Sequence, residues 1–120
     1  MHQIVRLFVV IACILAGAAS ARAETLTFMM SSDHPEILRL EFASQNRNVY
    51  WPGNGKSWTM EDYDVHAYKL NCERGEKICY GAWTEDFDDY WGVGYQNSTR
   101  CQNCCFTCNG GTTRVINLTP

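Results

Sequence analysis

Residues 66–83 have the sequence HAYKLNCERGEKICYGAW, and this stretch decides the fold class. Its larger side chains occupy every second position up to Cys72, as they do in a half-buried β-strand. Glu73–Glu76 supplies turn-forming residues, and Ile78–Trp83 resumes an extended pattern. The stretch therefore predicts a β-hairpin. A disulfide between Cys72 and Cys79 is compatible with that geometry, because the two residues flank the turn.

The same alternation occurs earlier in the chain. Thr25–Met30 and Leu38–Phe42 each show the period of two that is typical of half-buried strands, and Ser31–Pro35 between them is rich in turn formers. A capping pattern at Asp33–Glu36 leaves a helix through Leu40 as the alternative. The strict alternation favours the strand.

Tyr90–Tyr95 and Thr112–Leu118 are further strand candidates, and Pro52–Gly55 requires a turn or loop. Beyond residue 23 the sequence has no internal repeat and no sustained helical periodicity. We therefore predict a single all-β domain over residues 24–120, folded as a small antiparallel β-sandwich or curled sheet and stapled by disulfides.

The N-terminal segment has the three parts of a secretory signal: Met1–Arg6 is basic, Leu7–Ala19 is apolar, and Ala21–Ala23 is a small-x-small cleavage site. The apolar run has 13 residues, fewer than the roughly 20 that span a bilayer. We predict a signal peptide at residues 1–23, a periplasmic or extracellular location, and no stable membrane insertion after cleavage. A retained helix or a lipid on Cys13 is the minor alternative.

The predicted mature chain is acidic. All 13 Asp and Glu residues follow the signal, whereas Arg6 and Arg22 lie within it, which leaves a net charge of −5. This charge argues against a nucleic acid or an anionic membrane as partner.

Six of the seven cysteines lie in the predicted mature chain, and an even number after a secretory signal indicates disulfides. A bridge between Cys104 and its neighbour Cys105 is disfavoured, because adjacent Cα atoms lie too close together. The alternative is a zinc site in which thiolates from the cluster hold the ion, with or without Cys72 and Cys79. A redox-active CxxC motif is a weaker alternative. The cysteines of the cluster are Cys101, Cys104, Cys105 and Cys108.

The chain is rich in Trp and Tyr, which supply core side chains and also form surfaces that bind sugars or proteins. Tyr50 and Trp51 adjoin a Pro-Gly loop, so we predict that they contact ligand. The acidic loop Thr84–Asp89 is the second predicted surface, with Asp86 and Asp88 as its ligand-binding residues, although a calcium site or a merely solvated loop has the same composition. The predicted partner is a protein or a carbohydrate.

The sequence has few residues suited to catalysis. His34 and His66 are the only histidines of the predicted mature chain, and the common hydrolase, zinc-protease and phosphate-loop motifs are absent from the sequence. We therefore predict a binding or interaction module with no enzymatic activity and no cofactor.

Four elements together carry a resemblance: Trp51-Pro52-Gly53, the stretch Cys72–Trp83, Trp91-Gly92-Val93-Gly94, and the CxxCCxxC pattern at Cys101–Cys108. In these elements the chain resembles a group of small secreted bacterial cysteine-rich proteins of unknown function. The resemblance covers most of the predicted mature domain. It implies export and a single domain, and it transfers no activity, ligand or catalytic residue.

Overall fold

The structure, a computed structural model, describes residues 22–120. The predicted signal peptide lies outside the described residues, except for Arg22 and Ala23. The described chain contains nine strands and one short 3₁₀ turn at Tyr95–Asn97. The strands are β1 (Ala23–Ser32), β2 (Leu38–Ser44), β3 (Tyr50–Trp51), β4 (Trp58–Met60), β5 (His66–Glu73), β6 (Lys77–Thr84), β7 (Tyr90–Gly92), β8 (Cys105–Thr107) and β9 (Thr112–Leu118).

The strands form two sheets that do not close into a barrel. The first has the order β5-β1-β9, and the second has the order β3-β2-β6-β7, with β4 also pairing with β2 and β8 also pairing with β6. Every pair is antiparallel except β1 with β9, which run parallel. The predicted all-β, disulfide-stapled fold class is confirmed, and the parallel pair is the departure from a purely antiparallel arrangement.

The core lies between the sheets, where the alternating side chains of β1 and β2 meet. The rings of Phe28 and Phe42 lie 4.4 Å apart between their centroids, and both residues are fully buried. Burial of one large apolar side chain contributes about 1.5–3 kcal/mol. The other large side chains of this core include Leu26, Met30, Leu38, Leu40, Leu70, Ile78, Ile116 and Leu118.

The predicted hairpin at residues 66–83 is correct in its strands and wrong in its pairing. β5 pairs with β1, whereas β6 pairs with β2, so the turn at Gly75 carries the chain from one sheet to the other. β6 has β2 on one side and β7 and β8 on the other, which leaves no edge for β5. Leu70 and Ile78 are buried by this arrangement. A hairpin would bury the same alternating positions, so the pattern could not distinguish the two pairings.

Three disulfides pair all six cysteines of the described residues: Cys72–Cys108, Cys79–Cys105 and Cys101–Cys104. The bridge from Cys72 to Cys79, which the predicted hairpin would have allowed, does not form. Its two ends lie in different sheets, with Cys72 opposite Glu24 on β1 and Cys79 opposite Ala43 on β2.

The zinc alternative lacks free thiolates, because all four cysteines of the predicted cluster are in disulfides. Within residues 22–120, no group of three or more His, Cys, Asp or Glu side chains is placed to hold a metal ion. A thiolate zinc site needs such a group, so the zinc hypothesis is not carried further.

A buried carboxylate fastens the turn between the sheets to the loop that follows β2. Glu76 accepts hydrogen bonds from Arg47 Nε at 2.6 Å and Nη2 at 2.7 Å, from Ser44 Oγ at 2.5 Å, and from the backbone N–H of Glu73 at 3.0 Å. The Arg47 guanidinium, assisted by the other donors, lowers the pKa of Glu76 to about 2. The carboxylate is therefore ionised and fully paired at neutral pH.

Candidate functional site

Arg39 and Glu41 occupy alternate positions of β2 between the core residues of that strand. Their cross-strand partners on β6 are Trp83 and Gly81. The loops that follow β3 and β6 enclose a cleft of about 430 Å³ with these residues. The residues that line this cleft are Arg39, Glu41, Gly55, Lys56, Ser57, Trp83, Glu85, Phe87 and Tyr95.

Three aromatic side chains follow one another along the cleft. The ring of Tyr95 lies 5.1 Å from that of Trp83 and 5.6 Å from that of Phe87, with an interplanar angle of 79° in each pair. Such edge-to-face contacts are favourable and hold the rings in fixed orientations. Trp83 is buried, whereas Tyr95 is 48% exposed and Phe87 is 59% exposed. Tyr95 and Phe87 therefore offer exposed aromatic surface to a ligand.

A glycine on β6 lets the segment that carries Tyr95 lie against the sheet. A Cβ placed on Gly81 would collide with the backbone carbonyl of Gly94. Glycine at Gly81 thus allows the chain to cross the sheet closely, and this crossing brings the 3₁₀ turn at Tyr95–Asn97 over β2 and β6.

The loop after β6 presents Phe87 outward in an unusual backbone conformation. Phe87 has a φ of 61°, in the left-handed region that is uncommon for a bulky residue. Its N–H donates to the carbonyl of Thr84 at 2.9 Å, and the N–H of Thr84 donates to the carbonyl of Asp89 at 3.0 Å. The loop is therefore a closed turn that keeps a strained, exposed aromatic residue beside the cleft.

The loop after β3 positions Lys56 at the cleft. Gly53, Asn54 and Gly55 all have positive φ, and the N–H of Lys56 donates to the carbonyl of Gly53 at 3.0 Å. The sequence Gly-Asn-Gly supplies the residues that adopt this conformation most readily.

The charges of the cleft balance. Arg39 donates to Glu85 Oε1 at 2.8 Å and to Thr59 Oγ1 at 3.0 Å. Lys56 is the second cation and Glu41 the second carboxyl group. Two basic and two acidic groups give a cleft that does not select a ligand by net charge.

Glu41 is 2% exposed, and one of its carboxyl oxygens accepts a hydrogen bond from the backbone N–H of Gln96. Burial raises the pKa of Glu41 above its ordinary value, and the Gln96 hydrogen bond opposes that rise. Within residues 22–120 no other hydrogen bond reaches this carboxyl, and no fully buried side-chain oxygen lacks a partner, so Oε2 retains a small accessible area.

A second cavity of about 350 Å³ adjoins the cleft. The two share Glu41, Gly55 and Lys56, and the second extends past Asn48 and Tyr50. The two cavities are therefore neighbours that share part of their lining, and we call them together the trough.

The predicted ligand-binding residues lie at different places. Tyr50 lines the second cavity and its hydroxyl lies 3.3 Å from the carbonyl of Gln96. Trp51 lines neither cavity: its indole N–H donates to the carbonyl of Asn71 at 3.0 Å, and its ring packs against the core.

Asp86 and Asp88 also lie outside the trough. Asp86 lines a separate depression beside Pro35–Ile37, and its Oδ1 accepts a hydrogen bond from the N–H of Asp88 at 3.1 Å. Hydrogen bonds from Thr84 and Asp88 lower the pKa of Asp86. These two aspartates shape the loop that carries Phe87.

Both predicted loops border the cleft, but through residues that sequence reasoning missed. Gly55 ends the first predicted loop and Lys56 directly follows it, whereas Glu85 and Phe87 belong to the second. Glu41 had no distinguishing signal, because it occupies a polar position of the alternating strand just as Arg39 does.

The two histidines are engaged elsewhere. His34 Nδ1 accepts a hydrogen bond from the N–H of Glu36 at 3.0 Å, so Nε2 carries the proton and donates to Asp89 at 3.0 Å. His66 contacts Asp62 at 2.7 Å on the surface. Among residues 22–120, no histidine or free thiol lines the cleft.

No protein-family model, curated protein or solved structure matches the chain. In residues 22–120 no helix has the length and apolar character needed to cross a membrane. Inference about function therefore depends on the geometry of the trough.

Proposed function

We propose that the protein is a secreted or periplasmic binding module that recognises a carbohydrate in the cleft over β2 and has no enzymatic activity. The observation that carries this proposal is the line of aromatic side chains Trp83, Tyr95 and Phe87 beside balanced charged groups.

The size of the cleft supports a small ligand. A cavity of about 430 Å³ falls within the roughly 300–1,000 Å³ of small-molecule sites. A protein partner would be expected to use a broader and flatter surface.

The chemistry of the cleft supports a sugar. The exposed aromatic surface of Tyr95 and Phe87 can pack against the apolar C–H face of a pyranose ring. The charged side chains and Ser57 offer hydrogen-bond donors and acceptors for hydroxyl groups, while their balanced charge suits a neutral ligand.

The disulfides support a location outside the cytoplasm. Three bridges in a small domain are compatible with an oxidising compartment, as is the predicted signal sequence. The proposed absence of catalysis is supported by the engagement of both histidines outside the cleft.

The test is calorimetric titration of the oxidised protein with cello-, malto- and chito-oligosaccharides. Tyr95→Ala removes an aromatic ring of the cleft and is expected to weaken binding at least about tenfold. Tyr63→Ala is the control, because Tyr63 is 69% exposed and lies outside the trough. Failure of every saccharide series to bind, or equal binding by both variants, would contradict the proposal.

A further inference from the structure

We propose that the cleft and the second cavity are two subsites for one oligosaccharide, and that the Glu41 carboxylate between them accepts hydrogen bonds from the sugar hydroxyls. This inference rests on the proposed carbohydrate-binding function and specifies its ligand as a chain of at least two sugar units.

The shared lining of the two cavities is the first support. The cleft of about 430 Å³ and the second cavity of about 350 Å³ are each large enough for a small-molecule site. They share Glu41, Gly55 and Lys56, so a ligand that fills both passes directly over these residues. A monosaccharide occupies only one cavity and forgoes the contacts of the other.

The orientation of Glu41 is the second support. Its Oε1 is held by the backbone N–H of Gln96, while Oε2 keeps a small accessible area and has no protein partner among the described residues. Gln96 and Asn97 both have left-handed backbone conformations, with φ of 53° and 56°. Backbone strain of this kind persists where the surrounding structure fixes it, commonly at binding sites. Here the strained turn directs an N–H at one carboxyl oxygen of Glu41 and leaves the other without a protein partner among the described residues.

The charged and titratable groups that share the trough with Glu41 come from several elements of the fold. Arg39 on β2, Lys56 in the loop after β3 and Glu85 in the loop after β6 are the charged groups that share the cleft with it. Tyr95 in the 3₁₀ turn lines the cleft, and Tyr50 on β3 lines the second cavity. Glu41 and Glu85 are the two carboxyl groups of the trough.

Chain length provides the first test. We expect affinity to rise about tenfold or more from the monosaccharide to the disaccharide or trisaccharide within a binding series, measured by titration at constant pH. Asn48→Ala should reduce this gain, because Asn48 lines the second cavity. Asn71→Ala is the matched control, since Asn71 is exposed on β5 and lines neither cavity. Binding that is equal for monosaccharide and oligosaccharide overturns the two-subsite proposal while leaving carbohydrate binding intact.

The pH profile provides the second test. Ionised Glu41 accepts stronger hydrogen bonds than the protonated group, so affinity should fall as the pH falls through the raised pKa of Glu41. Glu41→Gln keeps the shape and the bond from Gln96, and it should lower affinity about tenfold at neutral pH and abolish this pH dependence. Glu85→Gln should retain it. A pH dependence that survives in Glu41→Gln, or that disappears only in Glu85→Gln, overturns the role of Glu41. If no series binds at all, both this proposal and the proposed function fail.

Discussion

The carboxyl group of Glu41 on β2 accepts a hydrogen bond from the backbone N–H of Gln96, 55 residues further along the chain. The contact joins the sheet to the 3₁₀ turn, and it lies where the two cavities meet. Ionisation of a carboxyl group that is nearly inaccessible and has no cation bonded to it lowers the stability of the fold.

Glu41→Gln is therefore expected to stabilise the ligand-free protein at neutral pH. Burial raises the pKa of Glu41 in the folded state, so the native protein binds its proton more tightly than the unfolded chain does. The stability difference between variant and native protein should vanish in acid and grow as pH rises through that pKa. Urea denaturation across pH measures it. An equal difference at every pH would show that Glu41 titrates normally.

Glu76→Gln should have the opposite effect. Its pKa is lowered from 4.5 to about 2, so its ionised form stabilises the fold above pH 4.5, and that contribution is lost as pH falls towards 2. We expect a loss of about 2–3 kcal/mol at pH 7, after allowance for the partial exposure of Arg47. Denaturation at pH 7 and near pH 2 measures this loss. Glu61→Gln, an exposed control, should change stability little at either pH, and a similar loss there would contradict the assignment.

Glu41 and Glu76 show which features of the fold could be predicted from the sequence and which could not. Alternation in β1 and β2 predicts their strands correctly because core burial follows local periodicity. It cannot reveal that Glu41, one position from Leu40, is covered by a segment from the other half of the chain. The burial of Glu76 depends equally on a distant contact, with Arg47.

The strands with which β5 and β6 pair could not be predicted from the sequence, for a related reason. Turn residues at Glu73–Glu76 reverse the chain whether the strands join within one sheet or lie in two sheets, and the same side chains are buried in both cases. The disulfide partner of Cys72 follows from this choice. Once β5 pairs with β1, Cys72 lies near Cys108 rather than Cys79.

The three disulfides should contribute unequally to stability. Cys72–Cys108 closes a loop with a sequence separation of 36, whereas Cys101–Cys104 closes one of 3. Loop-closure entropy predicts that the first bridge stabilises the fold by about 2 kcal/mol more than the second. Paired replacement by serine, followed by denaturation with the remaining bridges verified by peptide mapping, measures the difference. Equal losses would mean that local contacts, not loop closure, determine the effect.

Two substitutions at Phe87 can separate the effect of its left-handed backbone on stability from the effect of its ring on binding. Phe87 has a φ of 61°, a conformation that costs a residue with a Cβ about 1 kcal/mol and costs glycine almost nothing. Phe87→Gly should therefore be about 1 kcal/mol more stable than Phe87→Ala. Both variants lack the exposed ring, so both should weaken saccharide binding to the same extent. Thermal denaturation and titration of the two variants measure these quantities side by side. A more stable alanine variant would contradict the left-handed conformation, whereas undiminished binding by both variants would remove Phe87 from the site.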